Sequence, residues 1–134
     1  MIEALVFPHI RYCLSVWGSC TVTQKRRIQK AINFGARIVS GLRRRDHVTA
    51  ALRELGWPTV DELIAERDLA NVTRIIDSSI TPELLRQQFA LRADVSSRST
   101  RAVSDGRLQL PRVRTEFARR SFLYRAASAW NSHR

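Results

Sequence analysis

Cysteine, lysine and long apolar runs are all scarce in this chain of 134 residues. Cys13 and Cys20 are the only cysteines, seven apart, with no CxxC pair and no histidine at ligand spacing; His9, His47 and His133 are scattered. That excludes a disulfide framework and leaves no pattern for a zinc site, so no metal or cofactor is expected and both thiols are expected buried and free. The longest apolar run near the amino end, residues 4–7, is too short for a secretory or membrane-spanning segment, and Glu3 stands where a signal peptide needs positive charge. No membrane partner is expected, and the location expected is intracellular, in nucleus or cytoplasm. There is no GxxxxGK[ST], GxGxxG, HExxH or GxSxG, and no nearby pair of acids in a strand-turn context that could hold two magnesium ions. No catalytic residue is assigned, and the chain is not expected to be an enzyme.

What the chain has in excess is arginine. Lys+Arg number 23 against 12 Asp+Glu, a formal charge of +11, and 21 of the 23 cations are Arg. The guanidinium is a planar five-donor fork that holds phosphate bidentately and stacks on bases, so this excess points to nucleic acid. The charge is also segregated. Residues 1–56 carry ten cations and three acids, residues 57–94 four and seven, and residues 95–134 nine and two. A solvated surface mixes signs more evenly, so the two basic blocks are expected to form one outward face after folding.

The stretch KRRIQKAINFGARIVSGLRRR, residues 25–45, joins the strongest charge to the clearest helical pattern. Ile28, Ala31, Ile32, Gly35, Ile38, Val39 and Leu42 recur at i, i+3/i+4, i+7, while Arg26, Lys30, Asn33 and Arg37 fall opposite. Thr21 or Thr23 is a suitable N-cap, and Arg43–Arg45 continue past Gly41 near the negative end of the dipole.

Elsewhere the pattern is also helical. Residues 2–14 read as an apolar helix interrupted by Pro8 and closed by Trp17-Gly18. Asp46 is expected to cap a short helix burying Val48, Ala51, Leu52 and Leu55, stopped by Gly56 and redirected by Trp57-Pro58. Thr59 can cap a longer helix through Asp77, with Ala65, Leu69, Val72 and Ile76 inward and Glu62, Glu66, Thr73 and Asp77 outward. Asp68 falls inside its apolar arc, where a carboxylate needs an arginine partner from a neighbouring segment. Pro82 starts a further helix over 83–89. Residues 92–106 are Ser- and Arg-rich without period and read as a loop. Residues 107–110 alternate like a strand bounded by Pro111, and in an extended RVR Arg112 and Arg114 point the same way. Thr115 caps a turn holding Phe117, Arg119 and Arg120. The fold class expected is mainly α: a small domain of about five helices with a short strand or hairpin near the carboxy end. Trp17, Phe34, Phe117, Phe122, Tyr124 and Trp130 are interleaved with the cations, a mixture able to grip phosphates and stack bases; most are expected as core, with Trp17, Trp57 and Trp130 as packing anchors.

The order of small motifs adds a family resemblance. LVFPHIRYCLSVWG (5–18), IQKAINFGARIVSG (28–41), LGWPTV (55–60), STRAVSDGRLQLPRVRTE (99–116) and SFLYRAASAWNS (121–132) resemble the region downstream of the polymerase palm in LINE-type, jockey-like non-LTR retrotransposon reverse transcriptases. The resemblance implies a helical thumb-like region at 1–91, the Ser/Arg-rich loop at 92–106, and a strand-helix segment at 107–134 packing on the same domain. It implies a non-catalytic fragment of an RNA-directed DNA polymerase whose thumb contacts backbone of a primer-template duplex. The family's paired palm aspartates have no counterpart here, its upstream endonuclease and CCHC knuckle are missing, and its Trp-Asn-x-Leu-Pro pattern appears as Trp130, Asn131, Ser132, His133, Arg134. Met1 lies inside what would be a continuous helix, as in a degenerate remnant. Phosphate contact is expected from Lys25, Arg26, Lys30, Arg37, Arg43, Arg44 and Arg45, and from a second strip of Arg112, Arg114, Arg119 and Arg120. The partners expected are RNA, DNA or hybrid backbone and, in a longer chain, the palm. The rival readings are a mobile-element remnant without function and a protein-interaction module using the acidic middle helix.

Overall fold

The computed structural model describes residues 2–95 and 106–133. The chain is mainly helical, in two compact units, Met1–Ile64 and Ala65–Arg134. In chain order the helices are α1 (Ile2–Arg11), α2 (Leu14–Trp17), α3 (Val22–Val39), α4 (Thr49–Glu54), α5 (Val60–Asp77), α6 (Glu83–Gln87), α7 (Arg92–Val95), α8 (Glu116–Arg119) and α9 (Phe122–His133). These nine, among the described residues, exceed the expected five because several are single turns. The division between units falls inside α5.

In the first unit α3 packs against α1 and α4. Phe7, Leu14, Ile32, Ala36, Leu52, Trp57, Val60, Leu63 and Ile64 form the core, with Ile10, Trp17, Ile28, Val48 and Leu55 packed against it. Phe7 and Trp57 meet edge to face, ring centres 5.3 Å apart. Pro8 does not interrupt α1. The helix runs through it, since proline removes a single backbone donor and both Pro8 and Ala4, whose carbonyl loses that donor, are exposed to water. The break comes at Cys13, which adopts the left-handed conformation at φ 49°. Trp17 bridges the break by donating its indole N–H to the Tyr12 carbonyl at 2.9 Å. Cys13 is exposed and Cys20 half-buried, both free, so the expectation of buried thiols is corrected.

Thr59 caps α5 as its pattern predicts. The Glu62 N–H donates to Thr59 Oγ1 at 3.3 Å, and the Thr59 N–H and hydroxyl donate to Glu62 Oε2 at 2.7 and 2.9 Å. Those bonds hold the Glu62 carboxyl below its ordinary pKa of 4.5, the Thr59 backbone N–H acting most and its hydroxyl next. Glu66, Thr73 and Asp77 face solvent as expected, while Ala65, expected inward, is exposed.

In the second unit the core is Val72, Ile75, Phe89, Leu108, Ala126, Ala127 and Trp130, flanked by Leu69, Ile76, Leu91, Leu110, Phe122 and Leu123. Asp68 is buried there and is met by Arg125, whose Nε donates to Oδ2 at 2.9 Å and Nη2 to Oδ1 at 3.3 Å. The strand expected at 107–110 is reduced to one antiparallel bridge, Leu91 to Leu108. Among the described residues one flank of this segment meets backbone, through Arg92 N–H to the Arg107 carbonyl (2.8 Å) and Gln109 N–H to the Ala90 carbonyl (2.9 Å). On the other flank the Asn131 side chain takes the place of a strand, accepting from the Leu108 N–H at 2.8 Å and donating to its carbonyl at 3.0 Å. Of the loop expected at 92–106, residues 96–105 lie outside the described residues.

Candidate nucleic-acid interface

Helix α3 is bounded by chemistry visible in its sequence. Thr21 is the N-cap of a capping box: the Gln24 N–H donates to Thr21 Oγ1 at 3.4 Å, and the Thr21 N–H donates to Gln24 Oε1 at 3.1 Å. At the other end Gly41 turns the chain at φ 64°. Its N–H donates to the Ile38 carbonyl (3.4 Å) and that of Leu42 to the Arg37 carbonyl (3.0 Å), the paired bonds of a Schellman ending. Residues 43–46 then form a turn in which the Asp46 N–H reaches the Arg43 carbonyl at 3.1 Å and the Arg43 N–H donates to Asp46 Oδ2 at 2.8 Å. Asp46 was expected to cap the following helix. Its carboxylate closes the arginine turn instead, and α4 starts after Val48 with no side-chain cap.

This framing exposes most of the expected cations of the first unit. Arg26, Lys30, Arg43, Arg44 and Arg45 all face solvent, as does Arg27, to which the sequence pattern assigned no contact. None of them joins an ion pair among the described residues. Two of the expected cations make internal bonds. Lys25 lies on the buried side of the helix, its side chain 21 % exposed, and Nζ is bound to Asp61 Oδ1 at 2.9 Å. Arg37 is half-buried and donates from Nη2 to the Asp46 carbonyl at 3.3 Å.

Phe34, expected in the core, is 65 % exposed. At 100° per residue it falls one turn from Lys30 and two from Arg27, in the middle of the cationic face. Ile38 and Val39, expected inward, are exposed as well. Phe34 and Ile38, with Leu42, Lys30, Asn33, Arg37 and Arg44, line an open groove of about 540 Å³ with no acid among them. The signal was available: Phe34 lies at a helical spacing from the cations, not from Ile32.

The second strip lies in the second unit. Arg112 and Arg114 are exposed on either side of half-buried Val113, as an extended backbone requires. Thr115 accepts from the Ala118 N–H at 3.2 Å and starts α8, leaving Arg119 exposed. Arg120 is half-buried, its carbonyl accepts from Arg125 Nη1 at 2.7 Å, and its guanidinium lies 6.0 Å from the Phe117 ring centre. Phe117, another expected core residue, is 78 % exposed. The tryptophans hold their expected places, Trp57 and Trp130 buried and Trp17 packed at the edge of the first core.

No helix among the described residues is long and apolar enough to cross a membrane. No protein-family model, curated protein or solved structure matches the chain.

Proposed function

We propose that the chain is the thumb and following segment of a LINE-type, jockey-like reverse transcriptase, and that it grips nucleic-acid backbone without doing chemistry of its own. The observation that supports this most is the exposure of Arg26, Lys30, Arg43, Arg44, Arg45, Arg112, Arg114 and Arg119 with no ion pair on any of their side chains among the described residues. An arginine held by an internal acid has spent its charge; these have not. Each fork can take two oxygens of one phosphate, and each phosphate neutralised releases condensed counterions. Such contacts position a duplex and carry no sequence information. The palm's catalytic aspartates lie outside the resembling region, so polymerisation belongs to a longer chain or to a partner.

The test is fluorescence anisotropy of a labelled RNA–DNA hybrid duplex titrated with the full chain at several salt concentrations. With six or more of these cations on phosphates, affinity should fall by roughly 10³- to 10⁵-fold between about 50 and 200 mM salt. A flat profile rejects the proposal.

A further inference from the structure

We infer that the groove beside Phe34 is a stacking site for an unpaired base, so that this face prefers a single strand to a closed duplex. The inference rests on the backbone-binding reading and names the form of nucleic acid that reading leaves open. Phe34 presents its ring to solvent from a helix face that also exposes the cations Arg27 and Lys30 and the apolar Ile38. Ile38 and Leu42 add apolar side chains to the lining, and Lys30 and Arg44 add charge to it. Arg37, which also lines the groove, keeps a buried Nε–H with no acceptor among the described residues. A volume of about 540 Å³ lies within the ~300–1,000 Å³ range of small-ligand sites.

A nucleotide unit offers what this lining lacks: a flat π-face for Phe34 and an anion for Lys30 and Arg44. In a duplex the π-faces are already stacked on one another, so only the phosphates remain for this groove. Stacking on an aromatic side chain tolerates any base, because each has a π-face. A protein ligand would also cover Phe34, Ile38 and Leu42, but three cations without an acid favour a polyanion over a neutral apolar surface.

The experiment compares a fluorescein-labelled T12 strand with a 12-base-pair duplex, binding the full chain, Phe34→Ala, Phe34→Leu and Phe34→Trp at fixed salt. Phe34→Ala should weaken T12 binding by about 5- to 100-fold, the alanine-substitution range for one stacked base, and change duplex binding less than about twofold. Phe34→Leu, which keeps apolar bulk without a π-face, should lose T12 affinity to a similar extent, and Phe34→Trp should keep it. Circular dichroism checks that each variant retains its helices; should Phe34→Ala lose them, the Leu and Trp variants decide alone. Unchanged T12 binding in a folded Phe34→Ala or Phe34→Leu variant, or equal losses on both probes, overturns the stacking site while steep salt dependence would leave backbone binding standing. Self-association of the wild type that Phe34→Ala abolishes would assign the groove to a second copy and overturn it too. Failure of the wild type to bind either probe rejects both readings together.

Discussion

Asp68 is 1 % exposed, and Arg125 answers it with two nitrogens while spending a third on the Arg120 carbonyl. A buried pair of this kind contributes little over a well-packed apolar substitute, yet removing one partner strands a charge in low dielectric. Asp68→Ala should therefore lower stability by about 3–5 kcal/mol in urea unfolding followed by helical circular dichroism. Replacing both partners by apolar residues of similar volume should cost less than the single change. Glu62 behaves oppositely, because it is exposed and its bonds to Thr59 depress its pKa below 4.5. A depressed carboxylate stabilises the fold fully above its unfolded pKa and loses that contribution as pH falls through the folded value. The stability difference between wild type and Glu62→Gln should accordingly be present at neutral pH and disappear as pH falls through the depressed folded value, and water screening keeps it small.

Helix ends are where single backbone positions carry the most consequence. Gly56 ends α4 at φ 64°, with its N–H on the Arg53 carbonyl and that of Trp57 on the Leu52 carbonyl, which seats Trp57 in the core. A Cβ added there meets nothing within 4 Å, so Gly56→Ala would cost only the conformational penalty, about 1–2 kcal/mol by chemical unfolding. Thr21→Ala should cost about 1 kcal/mol by the same measurement, through the orphaned Gln24 N–H. These ends were legible because their chemistry is local: Thr21, Thr59 and Thr115 each sit three residues from the N–H they accept. Where two local partners compete, the pattern does not choose, and Asp46 took the Arg43 N–H instead of a helix start. The left-handed Cys13 left no mark at all, since nothing in its side chain favours that conformation. Asp68 announced its need for an arginine, but not that the arginine lies 57 residues on. Nor does an amphipathic run show where its buried residues pass from one core to another, as α5 does between Ile64 and Val72.

Across the whole molecule the +11 charge determines how the chain meets a polyanion. Arg43, Arg44 and Arg45 sit in one exposed turn whose bonds use backbone and the Asp46 carboxylate, so truncating them together spares the fold. The triple alanine variant should flatten the log-affinity against log-salt slope by about 3 in the hybrid-duplex titration, with an unchanged circular dichroism spectrum. The expectation for Lys25→Ala is different: with Asp61 already holding its ammonium, the slope should stay as it was. The candidate site was legible as cations interleaved with aromatics, while the exposure of Phe34 was not, because the helical spacing that sets it among the cations also sets it beside the apolar Ile38. Gly41 touches no phosphate in this scheme, yet its torsion decides which way the three guanidinium groups leave the end of α3. A β-branched side chain at that position would swing the tripeptide off target, a mutation that weakens the grip while deleting no charge.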